Sequence, residues 1–277
     1  MKITTHLRKM KTSLDPLGSG KALYQLPLFN ILEYEGLLDM NQFVGKEIGI
    51  HFENEIHCIE TGKKIKKTFG EGLSYESFLK SPMAVESIIR PELSRIHEGI
   101  ALRDKEWEEA HHNQPHFVYL SNTGDIKVGV TRTTNVPSRW IDQGASQAII
   151  LAETPYRQLA GLIEVALKDF FPDKTHWQNM LKNVFKTNDS LVDRKNHALE
   201  VLPPAYEPFF FDDDSVTVID YPVVDYPLKI KSIKLDNGSD IQSRLVGIKG
   251  QYLLFDGGEV LNIRSHSAYK VTFTLPG

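Results

Sequence analysis

The chain has 277 residues, of which 41% are hydrophobic and 25% are charged, and its formal net charge at pH 7 is −4. This composition excludes a disordered chain and argues against a generally basic nucleic-acid binder, although a local patch could still bind one. The chain is long enough for two domains. No run of about 18 apolar residues is present and no apolar segment follows the basic N-terminus, so neither a membrane span nor a secretion signal is expected. The single cysteine, Cys58, excludes an internal disulfide, and we expect a cytoplasmic protein.

Residues 1–80 are predicted to form an N-terminal β region. Residues 24–28 and 46–58 have strand-like patterns, and the second range is interpreted as a hairpin that turns at Glu53 and Asn54. A lysine-rich loop follows, which could contact a phosphate backbone, with a solvated charge run as the alternative. Its lysines are Lys63, Lys64, Lys66 and Lys67.

Helical patterns begin at residue 82 and continue to residue 112, and Pro91 divides them into one or two predicted helices. The histidines at positions 97, 111 and 112 lack the spacing of a metal site and are interpreted as surface or capping residues. His116 is the exception, because it directly precedes a predicted strand and could face a phosphate.

Residues 116–171 organise the rest of the chain. Strands are predicted over 117–120 and 126–131, on either side of a turn whose Asn122 and Gly124 tolerate positive φ angles. This pattern predicts a β-hairpin. A short helix over 137–144, a strand over 147–152 and a longer helix from 154 to 171 are predicted to follow.

The two helices of this stretch carry its conspicuous charges. Arg139 lies on the short helix, and Glu164 lies on the long one. Arg157, Gly161, Glu164 and Lys168 share a stripe beside the buried face of the long helix. The predicted order is strand, strand, helix, strand, helix.

The remaining residues are predicted to form a helix over 176–185 with its cap at 173–175, and then a linker over 188–204. From residue 215 onward, short strands alternate with glycine turns, which predicts a small β barrel. Lys249 is expected on a face of this barrel that could bind nucleic acid. The N-terminal hairpin could pair with the barrel and so join the two ends of the chain.

Short motifs within residues 116–171 carry a resemblance: Phe117-Val118-Tyr119, Lys127-Val128-Gly129, Arg139 and Glu164. In this order they resemble the GIY-YIG endonucleases, and more narrowly relatives with a Lys-Ile-Gly type second strand. The resemblance implies phosphodiester hydrolysis, in which Glu164 holds one Mg²⁺ or Mn²⁺ ion and Arg139 stabilises the charge of the transition state. The implied catalytic residues are Tyr119, Lys127, Arg139 and Glu164.

The match differs from the usual pattern at Lys127, where many members of the GIY-YIG family have a tyrosine. A lysine could contact phosphate there, but it acts as a base only after losing its proton. Tyr119 is therefore the better candidate for proton transfer. The residues predicted to contact nucleic acid are His116, Arg132, Arg157 and Lys249.

Six segments carry a second resemblance: RPELSR (90–95), KVGVTR (127–132), RWIDQGA (139–145), AGLIE (160–164), DKTHW (173–177) and GIKGQY (247–252). They are similar to an uncharacterised bacterial family, domain of unknown function 2797, over most of the chain. The members of this family have a segment that resembles a zinc knuckle, with two Cys-x-x-Cys pairs. At the four cysteine positions this chain has Cys58, Thr61, Ser74 and Ser77. One thiolate and three hydroxyls do not make a tetrahedral zinc site, so no structural zinc is expected.

We therefore predict an α+β fold of three domains: a β region with a degenerate zinc-knuckle-like segment (1–80), a helical flank with the GIY-YIG-like module (81–200), and the barrel (201–277).

The first hypothesis is a metal-dependent nuclease acting on nucleic acid. The second is a non-catalytic nucleic-acid-binding or regulatory protein. A structural or protein-interaction role is preferred if residues 88–112 cover the site. In the alternative interpretation of the two key charges, Glu164 pairs with Lys168 and Arg139 with Asp142.

Overall fold

The computed structural model describes residues 1–171, 176–186, 189–238 and 240–277. They form two compact units. The first unit contains Met1–Lys80 and Asp220–Gly277, and the second contains Ser81–Ile219. Within the described ranges, none of the helices has the length and apolar character needed to cross a bilayer.

The elements are numbered in chain order, and the fold is mixed α and β. The strands are β1 (Lys2–His6), β2 (Lys11–Leu14), β3 (Ala22–Asn30), β4 (Glu33–Asp39), β5 (Glu47–Ile56), β6 (His116–Asn122), β7 (Ile126–Arg132), β8 (Gln147–Thr154), β9 (Thr217–Val218), β10 (Lys231–Ser232), β11 (Ile241–Lys249), β12 (Tyr252–Phe255), β13 (Glu259–Asn262) and β14 (Tyr269–Thr274). The helices are α1 (Tyr75–Lys80), α2 (Lys105–His112), α3 (Ser138–Asp142), α4 (Arg157–Leu167), α5 (Trp177–Leu181) and α6 (Leu191–Val201). Short 3₁₀ turns lie at Asn41–Phe43, Pro82–Ala84, Glu86–Ile88, Pro91–Leu93, Ile96–Glu98, Thr133–Asn135, Pro204–Phe209, Leu235–Asn237, Asp256–Gly258 and Arg264–His266.

The larger sheet of the first unit joins the two ends of the chain. Its strand order is β1-β14-β5-β11-β12-β13-β10, and β5 pairs antiparallel with both β14 and β11. The expected pairing between N-terminal and C-terminal strands is therefore observed. A smaller antiparallel sheet of the same unit has the order β2-β3-β4.

Two predictions about the first unit are wrong. The range 46–58, predicted as a hairpin, contains the single strand β5, in which Asn54 takes a φ of 57° without reversing the chain. Within the described residues the C-terminal strands do not close into the predicted barrel, because β1 and β10 are the two edges of an open sheet. The barrel fails because β5 inserts between β14 and β11, a pairing that local alternation of residues does not reveal.

The sheet of the second unit has the order β7-β6-β8-β9 with antiparallel neighbours. The order β6, β7, α3, β8, α4 along the chain confirms the predicted strand, strand, helix, strand, helix. Val118 and Leu120 of β6 share an apolar core with Ile163 of α4 and Ala198 of α6, so these helices cover one face of the sheet. Tyr119 alternates to the opposite face.

Several predictions about the second unit are also wrong. Residues 82–98 form successive 3₁₀ turns, and the only α-helix described within the predicted helical range is α2. The predicted linker contains α6, whose first turn is capped by Ser190 Oγ accepting from the backbone nitrogens of Val192 and Asp193. The helix predicted from residue 154 begins at Arg157, since Thr154 ends β8 and donates its hydroxyl to the carbonyl of Tyr156. The predicted cap at 173–175 lies outside the described residues.

Candidate functional site

Tyr119 and Gly129 form a cross-strand pair between β6 and β7. The phenol lies across the glycine, because a Cβ atom built on Gly129 would come within 2.7 Å of both Cζ and Oη of Tyr119. The glycine of the second motif therefore leaves room for the tyrosine of the first. The β6–β8 pairing shifts register beside Tyr119, an irregularity of the kind that redirects side chains. Tyr119 is fully buried.

Gln143 connects Tyr119 to Arg139. It directly follows α3 and lies four positions after Arg139, so both side chains lie on one side of the helix. With the amide oriented to satisfy both neighbours, its nitrogen donates to Tyr119 Oη at 2.9 Å. Its oxygen then accepts from Nε and Nη2 of Arg139 at 3.2 Å each. Two hydrogen bonds thus hold the guanidinium next to a buried phenol.

The charges of Arg139 and Glu164 both act on the Tyr119 hydroxyl. Burial raises the pKa of Tyr119, the charge and hydrogen bond of Arg139 lower it, and the carboxylate of Glu164 raises it. Both charges also act on the guanidinium of Arg157. Arg139 and Glu164 are only half-buried. The helices α3 and α4 therefore bring an arginine and a glutamate to one region around Tyr119.

Arg157, at the first position of α4, is held by the backbone of residues 86–88. Its Nε donates to the carbonyl oxygen of Ser87 and its Nη2 to that of Ile88, both at 2.9 Å. Burial lowers the pKa of Arg157 to about 10. The head group predicted to contact nucleic acid is thus engaged in joining α4 to a 3₁₀ turn.

The turn Pro91–Leu93 rests on α4 between Arg157 and Glu164. A Cβ atom built on Gly161 would lie 2.2 Å from the backbone nitrogen of Glu92, so only glycine allows this approach. The predicted stripe of α4 is therefore partly covered by the segment that precedes α2. Glu164, one turn beyond the contact, stays half-buried. The third hypothesis is preferred if residues 88–112 cover the predicted site, and the observed contacts of this segment with α4 lie at Arg157 and Gly161.

His116 and Arg132 form a cross-strand pair at the open end of the β6–β7 hairpin. His116 is fully buried, and its Nδ1 donates to the carbonyl oxygen of Gln114 at 2.7 Å. Nε2 therefore carries the lone pair, and it has no hydrogen-bond partner among the described residues. Burial lowers the pKa of His116 to about 4, and the charges of Arg157 and Arg132 also lower it. At neutral pH, His116 is an uncharged acceptor beside two guanidinium groups.

Lys127 lies on the same face of β7 as Gly129, one alternation away. It is 6% exposed, and its cross-strand neighbour Ser121 is fully buried. Lys127 is therefore a buried lysine and not an exposed base.

Lys249 belongs to the first unit, whereas the other predicted site residues belong to the second. It is 1% exposed, and its ammonium lies 5.1 and 5.3 Å from the ring centroids of Tyr221 and Tyr226. Burial lowers the pKa of Lys249 to about 8. Enclosed by two aromatic faces, this ammonium stabilises the first unit by cation–π contacts.

The positions of the degenerate knuckle converge on Cys58. Its Sγ accepts from the backbone nitrogen of Ser74 at 3.3 Å and lies 3.5 Å from Oγ of Ser77. Burial raises the pKa of the thiol, but hydrogen bonds from Thr61, Ser77 and Ser74 outweigh it and bring the pKa to about 6. Aromatic rings pack in the same segment: the centroid of the Phe69 ring lies 5.0 Å from that of Tyr75 and 6.3 Å from that of Phe78.

The sequence profile of one protein family matches residues 45–271, which is most of the chain. The family is described as "Protein of unknown function (DUF2797)". The chain belongs to this family. No match was found among the curated proteins or among the solved structures. Membership of the DUF2797 family extends over parts of both units, so the family is defined by more than the module around Tyr119.

Glu164 is the carboxylate that would hold a divalent cation. Among the residues described, no group of three or more His, Cys, Asp and Glu side chains is placed to hold a metal. Mg²⁺ and Mn²⁺ keep most of their waters and need one or two carboxylates from the protein. Oε2 of Glu92 is buried without a hydrogen-bond partner in the described chain, and its charge acts on Arg157 as that of Glu164 does.

Sequence reasoning missed Gln143 and Glu92 as parts of this site. Gln143 had a usable signal, namely its spacing of four from Arg139 within the RWIDQGA segment. Glu92 had none, because it reaches α4 through a contact between residues 69 positions apart. Both lie in segments that carry the resemblance to the DUF2797 family.

Proposed function

We propose that the second unit is a nuclease-like module that binds a phosphodiester of a nucleic acid at Arg139 and hydrolyses it with a divalent cation held by Glu164. The observation that carries this proposal is the Tyr119–Gln143–Arg139 network, and the charge of Glu164, which raises the pKa of Tyr119, supports it. A guanidinium held by hydrogen bonds stabilises charge on a phosphate without reorganising. The resemblance of the motifs to GIY-YIG endonucleases supports the same reaction.

Each side chain of the network has a distinct part in the proposed reaction. Arg139 binds the phosphate and stabilises the charge that develops on it. Gln143 orients Arg139, and Tyr119 orients Gln143, because a fully buried phenol with a raised pKa holds its proton. When bound to Glu164, Mg²⁺ or Mn²⁺ supplies Lewis acidity and a source of water for the attack.

A second candidate function is binding of nucleic acid without hydrolysis. The observation that favours it is the burial of both motif residues that could transfer a proton, since Lys127 is 6% exposed and Tyr119 is fully buried. Arg157 is also engaged by backbone carbonyls and so contributes less to an open catalytic surface. In this case Arg139 and Arg132 would bind phosphate groups. The carboxylate of Glu164 would repel further phosphates.

A cleavage assay with matched carboxylate variants tests the first candidate. Purified protein with Mg²⁺ or Mn²⁺ is expected to nick branched, single-stranded or duplex DNA or RNA, and Glu164→Gln should abolish this activity. Glu153→Gln is the control, because Glu153 is an exposed glutamate on the neighbouring strand β8. Cleavage by the control should equal that of the wild type.

Three other outcomes decide against the first candidate. Wild-type protein that binds these nucleic acids but cuts none of them would leave the second candidate. Equal cleavage by wild type and Glu164→Gln would remove Glu164 from the reaction. A loss of more than about 2 kcal/mol in the free energy of unfolding of Glu164→Gln would identify a structural glutamate.

A further inference from the structure

A groove in the first unit lies beside the lysine-rich loop that the proposed function does not use. Its volume is about 590 Å³, within the range of ligand pockets, and it is lined by Phe52, Asn54, Ile56, Lys64, Ile65, Lys66 and Asp236. The end of β5 and residues 64–66 form one wall, because Ile65 donates its backbone nitrogen to the carbonyl of Ile56 at 2.9 Å. A β-bridge between His57 and Lys64 continues this pairing.

The floor of the groove is apolar and fixed. Phe52 is 8% exposed and Ile56 is 6% exposed, so each presents a small part of its surface to the groove. The ring of Phe52 packs against that of Tyr269 with centroids 5.2 Å apart, which holds it in place. Ile65 adds a half-buried side chain from the segment paired with the end of β5. A flat, uncharged ring could lie on this floor.

The rim of the groove carries positive charge. Lys63, Lys64, Lys66 and Lys67 are all exposed. Glu55 lies 3.6 Å from Lys64 and also 3.4 Å from Lys270, so it neutralises this lysine only in part. Lys66 makes no ion pair within the described residues. An anionic group at the rim would be attracted by these ammonium groups, and the carboxylates of Glu55 and of the groove-lining Asp236 would oppose this attraction in part.

We propose that this groove binds one nucleotide of a single-stranded nucleic acid. Its base would lie on Phe52 and Ile65, and its phosphate would contact Lys64 and Lys66. Asn54 and Asp236 line the same groove. An amide can offer hydrogen bonds to a base edge, whereas the carboxylate of Asp236 interacts with the Tyr269 hydroxyl. Single strands fit best because their bases are free to leave the stack and lie on protein side chains.

This inference deepens the proposed function and rests on it for the choice of nucleic acid. An acidic peptide would meet the same lysines but would have no planar ring for the floor. Duplex nucleic acid would meet the lysines with its bases still stacked. The two ligands therefore serve as competitors that separate the contribution of charge from that of the base.

The test is a binding assay with a fluorescein-labelled oligothymidylate in a metal chelator, so that cleavage cannot contribute. Lys64→Glu/Lys66→Glu is expected to weaken binding roughly tenfold or more at about 50 mM salt. The slope of log K against log salt should fall by about 0.7, the value for one phosphate contact on a single strand. Lys2→Glu/Lys229→Glu is the control with the same change of charge on exposed lysines of the same unit that do not line the groove.

The control should bind within roughly twofold of the wild type, since distant charges act weakly at this salt. Equal weakening in both variants would mean that only net charge matters and would overturn the proposal. Competition by polyglutamate or duplex DNA as effective as unlabelled oligothymidylate would also overturn it. The neutral variant Lys64→Gln/Lys66→Gln should also bind the oligothymidylate more weakly than the wild type. Its thermal stability is measured to show that the variant is folded. Glu164→Gln should bind the oligothymidylate as tightly as the wild type does. The outcome of this binding assay is then independent of the outcome of the cleavage assay.

Discussion

The Tyr119 hydroxyl occupies the space that a methyl group at position 129 would take. The distance from a Cβ built on Gly129 to Oη is 2.7 Å, well inside van der Waals contact. The position of the Tyr119 side chain on β6 therefore requires a residue without a side chain at position 129 of β7. The dependence can be measured without any assay of function.

Gly129→Ala is expected to lower the free energy of unfolding by about 1–3 kcal/mol, because the added methyl displaces the phenol from a packed site. In a Tyr119→Leu background the same change should cost less, because leucine lacks Cζ and Oη. Urea unfolding of the wild type, the two single variants and the double variant gives the coupling free energy between positions 119 and 129. A coupling near zero would mean that the ring moves freely away from the glycine.

Gln143→Leu is expected to release the guanidinium of Arg139, because it removes the acceptor for Nε and Nη2. The cost in unfolding free energy should be about 1 kcal/mol per hydrogen bond lost. The Nε–H resonance of Arg139 in a ¹⁵N spectrum should shift and exchange faster with water. Gln143→Glu retains an acceptor for Arg139 and should restore the slower exchange. If leucine leaves the Arg139 resonance unchanged, Gln143 does not position this side chain.

The sequence predicted the parts of the second unit that depend on local chemistry. The turn at Asn122 and Gly124 fixed the β6–β7 hairpin, and Gly124 does adopt a φ of 102°. The resemblance to GIY-YIG endonucleases implied a site with Tyr119, Arg139 and Glu164, and this grouping stays a prediction.

The elements that were missed depend on contacts far apart in sequence. Glu53 and Asn54 are residues that favour turns, so the sequence predicts a hairpin within residues 46–58. The structure has the single strand β5 there, because β11 pairs with it on one side and β14 on the other. The polar sequence of residues 188–204 predicts a linker, yet α6 forms there, and Ser190 supplies a capping signal three residues before Asp193. The coverage of α4 by residues 86–93 had no local signal at all.

Arg157→Met is expected to loosen residues 86–93, because the carbonyls of Ser87 and Ile88 lose their donors while the apolar stem is kept. The free energy of unfolding should fall by about 1–3 kcal/mol, and amide hydrogen exchange should rise in this segment. Arg90→Met is the control, since Arg90 is 55% exposed and pairs with Glu86 and Glu92 on the surface. Such a pair should contribute less than about 1 kcal/mol. Equal exchange in both variants would show that Arg157 does not hold the turn.

Acid is expected to destabilise the second unit through its buried histidines. Burial lowers the pKa of His116 to about 4 and that of His112 to about 3, from an ordinary value of 6.5. Between these values the unfolded chain binds protons that the folded chain does not, so stability rises with pH. The stabilisation is complete above about pH 6.5 and is lost as the pH falls toward about 4, on the order of 3 kcal/mol for His116. Urea unfolding across this interval should show the slope, and His116→Gln should reduce it. A slope in His116→Gln as steep as in the wild type would mean that His116 is already protonated in the folded protein.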